Sequence, residues 1–294
     1  MTKYIGMVFV GACSFGILST FVKLAYREGY TAAEISVSQA FIGMMVLWIG
    51  RLIYEKMKTG QLTFRLQWPT LWPLLLTGVA IGLTTFVYYV SVQYIPASVA
   101  IVLLMQFTWM GVVLDWLFFK KRPGWIEVAS TVMILLGTLL SGGILRAQAA
   151  ALSVTGIAYA LGSALLYAIY IVANSRVGKQ LPALQKSSVI MCGSCMGIFL
   201  VNAPALLTST HFDSNLLKWA LFLALFGTII PPVLFAKGIP KIGAGISAIV
   251  MSAELPVAVI CSHVILQEPV DGWQWTGVVI MLLSMGLLEI RKTC

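Results

Sequence analysis

The residue of this chain with the most chemistry to offer is Glu254, set inside the run IPKIGAGISAIVMSAELPVAVICSHVILQEP from Ile239 to Pro269. The run is apolar over a length fit to cross a bilayer, where an ionised side chain at the centre costs about 2.5 to 3.5 kcal/mol on insertion scales. A carboxylate persists there only with a partner, a proton or water. Two readings follow. Either Glu254 accepts a static hydrogen bond from a neighbouring Tyr, Ser or backbone group, or it binds and releases a proton and couples solute movement to proton movement. Ser247, Met251 and Glu254 recur at i, i+4 and i+7 and share one helix face. Pro256 removes an amide donor, which predicts a break nearby and leaves the Ser252 and Ala253 carbonyls open to cations or water.

Further candidates lie on other apolar runs. Pro231 and Pro232 remove two more donors in mid-run, around Gly227 and Thr228, which suits a kink, a hinge or a cavity wall. Thr77, Thr84 and Tyr88 form one polar stripe, and Thr85, Tyr89 and Gln93 another; either could face a cavity. The fourth run adds Gln106, Trp109 and Met110; Gln106, Trp109 and Tyr88 lie deep enough to bind a solute through rings and amides, and Tyr167, Tyr170 and Asn174 recur at i, i+3, i+7. Interhelical hydrogen bonding is an equal use for that last set. Asp115 stands where Lys120 or Lys121 can pair with it, and His263 suits an interfacial position. Cys192 and Cys195 have CxxC spacing, but no second Cys or His pair stands at zinc-ligand distance along the chain, so neither a metal site nor a cofactor is expected.

The elements that position these residues follow from composition. Hydrophobic residues make up 60% of the 294 and charged residues 10%, which defines an integral membrane protein. Ten apolar runs have the roughly 17 to 25 residues that a bilayer core demands. They lie near 4 to 22, 32 to 53, 71 to 92, 96 to 118, 125 to 144, 154 to 174, 187 to 207, 216 to 236, 243 to 266 and 273 to 290. Lipid offers the backbone no hydrogen-bond partner, so each must be a helix. The longest connection, about Tyr54 to Thr70, is too short for a soluble domain. With the N-terminus inside, fifteen of the nineteen Lys and Arg fall on the cytoplasmic side, among them Arg51, Arg65, Lys120, Lys121, Arg122, Arg176, Lys186, Lys237, Lys241, Arg291 and Lys292. Only Lys23, Arg27, Arg146 and Lys218 fall outside. That asymmetry places both termini in the cytoplasm. The net charge of +9 is thereby a topology signal and not a sign of nucleic-acid binding.

The chain repeats itself. The segment YIPASVAIVLLMQFTWMGVVLDWLFFKKRPGW, from Tyr94, lies over KIGAGISAIVMSAELPVAVICSHVILQEPVDGW, from Lys241, at an offset of about 147 residues. Five spans per copy is an odd number, so the second copy must enter the membrane inverted. The charges agree: Lys120, Lys121 and Arg122 have no basic counterpart in Gln267 to Gly272. The expected fold is therefore an all-α membrane protein with ten transmembrane helices arranged as two inverted five-helix repeats, 1–147 and 148–294. Gly78 with Gly82 and Gly193 with Gly197 form GxxxG pairs suited to close helix packing inside or between the repeats.

GAGISAIVMSAELPVAVICSHVILQEP resembles the penultimate span of the EamA family, within the drug/metabolite transporter superfamily, with its small-residue turn, Glu254, Pro256 and terminal Glu268. FGILSTFVKLAY and LYAIYIVANSRVGK are similar to the opening spans of the two repeats. The resemblance covers the whole chain. It implies a basket of ten helices whose third, fourth, eighth and ninth spans line a cavity, and export of amino acids or other small metabolites. The first copy departs from the family pattern, with Trp109 in place of Pro and Lys121 in place of the terminal Glu, so no ion-binding role shared by both copies is implied.

A secondary active transporter in the plasma or inner membrane, moving a small-molecule solute by alternating access with proton coupling through Glu254, accounts for the repeats and the buried carboxylate. Substrate contacts are assigned to Tyr88, Tyr89, Gln106, Trp109, Ser247 and Glu254, and coupling or hinge roles to Glu254, Pro231, Pro232 and Pro256. A channel or non-transporting receptor is the alternative. An intramembrane enzyme is less suited, because Glu254, His263 and Asp115 lie at different depths. No Walker sequence for ATP is present.

Overall fold

The computed structural model describes residues 2–59, 68–95, 97–120, 122–141, 153–208, 213–267 and 270–290. Arg65, Lys121, Arg146, Glu268, Arg291, Lys292 and Cys294 lie outside the described residues. Those described form helices and turns with no strand among them. In chain order the helices are α1 (Thr2–Arg27), α2 (Ala32–Thr59), α3 (Trp68–Tyr94), α4 (Ala97–Leu104), α5 (Phe107–Phe119), α6 (Trp125–Ser141) and α7 (Val154–Arg176). There follow α8 (Ala183–Thr208), α9 (Ser214–Leu223), a π-helical turn (Ala224–Ile229), α10 (Ile230–Ile242), α11 (Ala244–Met251), α12 (Glu254–Leu266) and α13 (Gly272–Ile290). With α4–α5, α9–α10 and α11–α12 each taken as one continuous run, eight among the described residues are long and apolar enough to cross a membrane, and α6 holds a shorter apolar stretch, Glu127–Ser141.

Two of these spans are broken, and at corresponding places. A turn at Met105 and Gln106 separates α4 from α5, and a turn at Ser252 and Ala253 separates α11 from α12, 147 residues further on. The left-handed residues that end α5 and α12, Lys120 at φ 53° and Gln267 at φ 55°, are also 147 apart. The same offset relates the capping contacts that open α6 and α13. Gly124 N–H donates to Glu127 Oε2 at 3.0 Å, and Asp271 N–H donates to Gln274 Oε1 at 3.0 Å.

α6 and α13 run antiparallel along each other. Ser130 Oγ donates to Ser284 O at 3.4 Å, Ser141 Oγ donates to Gln274 O at 3.3 Å, and Gly137 lies against Gly277. Ser130 and Gly277 are 147 residues apart, as are Gly137 and Ser284. Exchanging the two copies therefore maps this contact onto itself, as a twofold axis between the two helices would.

The halves interlock elsewhere. α7 packs against α3, α4 and α5, while α1 packs against α10, α11 and α12, so the first span of each half lies on the third and fourth of the other. The GxxxG pairs join the halves as well: Gly78 faces Ile190 and Gly193, and Gly82 faces Ser194, leaving no room for a Cβ at the α3–α8 crossing.

Candidate functional site

Between the halves, α1, α3 and α4 on one side and α7 and α12 on the other enclose a cavity. Its polar lining is Ser19, Thr84, Thr85, Tyr88, Tyr89, Tyr167 and Glu254; Phe15, Leu18, Ile81, Ile101 and Leu104 supply most of the rest. The space open to water-sized bodies is about 50 Å³, enough for a few waters. A solute of amino-acid size fits only if the walls move apart.

Glu254 is the first residue of α12, directly behind the break, and is 4% exposed. The break is what aims it: Ser252 N–H and Ala253 N–H turn back to Ile249 O and Val250 O at 3.3 and 3.2 Å, and the helix restarts with Glu254 facing the cavity. Tyr167 Oη donates to Glu254 Oε1. The Tyr167 ring is held in turn by Phe107, 4.7 Å away between centroids, and by Phe15 at 6.3 Å. The static partner anticipated for Glu254 is thus a tyrosine, yet a carboxylate accepts at about four positions and Tyr167 occupies one. No Lys or Arg is among the described residues that line the cavity, so a cationic or proton-bearing group meets no competing charge there.

Both polar stripes of α3 contribute. Thr84, Thr85, Tyr88 and Tyr89 all reach the cavity, whereas Thr77 and Gln93 do not line it. Thr84 and Thr85 donate back to Ala80 O and Ile81 O at 2.8 and 3.1 Å, and Tyr89 Oη donates to Gln39 Oε1 at 3.1 Å. Tyr88 Oη is buried without a hydrogen-bond partner among the described residues. It is therefore the donor most available to water or a solute.

Three of the expected substrate contacts are placed elsewhere. Trp109 is 40% exposed on the outside of α5 and donates through Nε1 to Gln106 Oε1 at 2.9 Å, so the pair satisfies itself at the first break. Ser247 is buried and donates to Gly243 O at 2.6 Å within its own helix. None of the three lines the cavity. The Ser252 and Ala253 carbonyls, expected to be open, accept from Leu255 N–H at 3.2 Å and Val257 N–H at 3.4 Å. The turn itself uses them, which is the physical reason Pro256 does not expose them. Pro231 and Pro232 are buried at the start of α10, directly after the π-helical turn, where Ile230 N–H reaches back five residues to Leu225 O. Ser14 Oγ donates to Phe226 O in the turn at 2.6 Å, and Thr228 Oγ1 donates to Gln39 O at 3.0 Å.

Other residues emerge only from the structure. Lys186, counted with the cytoplasmic charges, is fully buried and donates to Asn174 O at 2.6 Å. Asn174 Nδ2 donates to Tyr170 Oη at 3.1 Å, so the α7 stripe serves the cavity through Tyr167 and helix contacts below it. Arg176 Nη2 donates to Asp115 Oδ1 at 2.7 Å. The α1 face carrying Phe15, Leu18 and Ser19 bore no signal that distinguished it from a lipid-facing one. Among the described residues no group of three or more His, Cys, Asp or Glu is placed to hold a metal ion.

A bundle of apolar helices around a small, internal, acid-bearing cavity defines a multi-pass membrane protein of transporter type. The profile of the EamA-like transporter family matches residues 2–143 and 154–289: the chain belongs to that family, and its two matches fall on the two copies described above. It is similar to "Uncharacterized transporter sll1319" of Synechocystis, 23% identical over 97% of this chain and 93% of the relative. It is also similar to "Threonine/homoserine exporter RhtA" of Escherichia coli K12, 26% identical over 75% of this chain and 72% of the relative. A solved crystal structure superposes with a TM-score of 0.73 over 97% of each chain at 16% identity, which is a likeness of fold.

Proposed function

We propose that the protein is a secondary active exporter of amino acids or other small metabolites, working by alternating access and coupled to protons through Glu254. The observation that carries this reading is the position of the cavity. It lies between the two copies, at the restart of a broken span, and its only described ionisable acid is Glu254. Two inverted five-helix halves, 1–147 and 148–294, would rock about it. Supporting the inversion, the α6–α13 contact is antiparallel and self-mapping. Arg176 and Asp115 also pair the C-terminal ends of α7 and α5, so the first span of the second half runs with the fourth span of the first half.

Tyr88, Tyr89, Tyr167 and Glu254 form the solute site, with Ser19, Thr84 and Thr85 around them. Pro231, Pro232 and Pro256 flank the two backbone irregularities, the π-helical turn and the break, and are the hinge positions in this reading. The similarity to a threonine/homoserine exporter favours small amino acids as the first solutes to try. The excess of Lys and Arg on one side supports an inner or plasma membrane location with both termini cytoplasmic. The test is accumulation of labelled threonine, homoserine and a wider amino-acid panel in everted vesicles, with and without a pH gradient. Gradient-driven accumulation lost in Glu254→Gln is the expected outcome, and flux indifferent to both gradient and Glu254 would remove the coupling.

A further inference from the structure

Two sets of polar contacts tie the halves together at opposite ends of the molecule, and neither belongs to the cavity. At the end where α1 finishes, Trp219 Nε1 on α9 donates to Glu28 Oε2 at 2.8 Å, and Tyr30 Oη donates to Asp213 Oδ1 at 2.8 Å. Asp213 also caps α9 by accepting from Leu216 N–H at 2.8 Å. That backbone bond, and Tyr30 after it, hold the Asp213 carboxyl below its usual range, so it stays ionised. At the end where α7 finishes, Arg176 Nη2 meets Asp115 Oδ1 of α5 at 2.7 Å, and its guanidinium lies over the Phe119 ring, 4.3 Å from the centroid.

An open recess lined by Phe21, Glu28, Tyr30, Asp213, Lys218 and Trp219 reaches inward from the Glu28 end. Leu18 lines the cavity and Phe21 lines the recess; three residues of helix separate them, about 4.5 Å. The partition is an aromatic layer in which the Phe21 ring lies tilted against Phe222 at 4.1 Å between centroids, and Phe222 against Phe226 at 4.8 Å. The contacts stand at like spacing from the cavity along the chain: Glu28 is nine residues beyond Ser19, and Arg176 is nine residues beyond Tyr167, about 13.5 Å of helix.

We propose that these contacts are the two gates of the carrier: Glu28–Trp219 and Tyr30–Asp213, with the Phe21–Phe222 layer, shut the cavity toward the outside, and Asp115–Arg176 shuts it toward the cytoplasm. The assignment rests on the alternating-access reading above. A contact between halves that rock can exist only while its own side is closed. Removing it destabilises that state alone and moves the population toward the state open on that side. In the structure both sets are formed and the cavity between them is small.

The test uses the full chain with its five cysteines replaced and Ser19→Cys introduced as a reporter inside the cavity. Labelling by a membrane-impermeant maleimide is followed in right-side-out and inside-out vesicles. The outer variant is Tyr30→Phe with Trp219→Phe, which deletes two donors and leaves the carboxylates; the inner variant is Arg176→Gln. The outer variant should raise labelling from outside by about tenfold and lower it from inside, the inner variant the reverse, because a hydrogen bond to a charged group carries that much. Should Arg176→Gln fold poorly, Asp115→Asn asks the same question, and Arg176→Lys should restore part of the wild-type pattern. Labelling unmoved by both variants, or moved in the same direction by both, overturns the gates. Opposite shifts in a protein that carries no solute of the panel would keep the gates and overturn the exporter reading, so the two failures are distinguishable.

Discussion

At Met105–Gln106 the chain leaves Phe107 and Trp109 behind the break; at Ser252–Ala253, 147 residues later, the same backbone positions carry Glu254 and Pro256. Both breaks follow an eight-residue helix, and both following helices end in a left-handed residue. Only one of them has a proline. The break therefore belongs to the packing of the two halves, and Pro256 accompanies it without causing it. What separates the copies is chemistry: Phe107 and Glu254 converge on one tyrosine, the first packing its ring tilted against the Tyr167 ring and the second accepting a hydrogen bond from its hydroxyl.

The sharpest way to break the comparison is to make the copies alike. Phe107→Glu puts a second carboxylate beside Tyr167 with no donor of its own, and should lower stability by about 3 kcal/mol, the insertion cost of a charge at mid-membrane. Chemical denaturation in detergent micelles measures it. A Phe107→Glu protein as stable as wild type would mean that the first break can also host a charge.

Next in size is Glu254→Gln, for which gradient-driven flux should fall about 10- to 100-fold with the amount of protein in the membrane unchanged, as loss of hydrogen bonds to a charged group implies. Tyr167→Phe should cost less, about tenfold in flux, because Glu254 keeps its remaining acceptor positions. If Tyr167→Phe instead matches Glu254→Gln, the tyrosine is an equal partner in coupling. Pro256→Ala tests the backbone half of the comparison. Since the turn bonds at Ser252 and Ala253 do not involve the proline, stability should change by less than about 1 kcal/mol. Smallest is Trp109→Phe, which removes one N–H at the edge of the first break and should alter stability by no more than about 0.5 kcal/mol, with solute preference in the amino-acid panel unchanged.

Much of this molecule was legible before any fold was known. Of the ten apolar runs expected, eight fall on helices long and apolar enough among the described residues to cross a membrane, and the 147-residue offset reappears in the breaks, the left-handed caps and the capping contacts at Gly124 and Asp271. Glu254 stood out because a lone carboxylate in an apolar run has few explanations. The placement of Gln106, Trp109 and Ser247 was not legible. Each satisfies its own polar atom locally, Gln106 with Trp109 and Ser247 with Gly243, and residue type alone cannot reveal that. Lys186 counts among the cytoplasmic charges in the sequence because it stands just before the apolar run 187 to 207, yet its Nζ turns inward to a carbonyl of α7. The α1 wall of the cavity was invisible for a related reason: Phe15, Leu18 and Ser19 suit lipid, protein or solute equally well.

Run length and the internal repeat were set by the sequence, because a bilayer dictates how many apolar residues a crossing needs. Which face of each helix meets the cavity was decided only by tertiary packing. In water a buried face is marked by its hydrophobicity, but lipid tails are as apolar as a leucine-rich core, so the pattern along a helix does not say which side faces protein. The meeting of Tyr167, Phe107 and Glu254, and of α1 with the other half, rests on small residues and turns that let the halves approach. Those contacts exist only once both halves are in place.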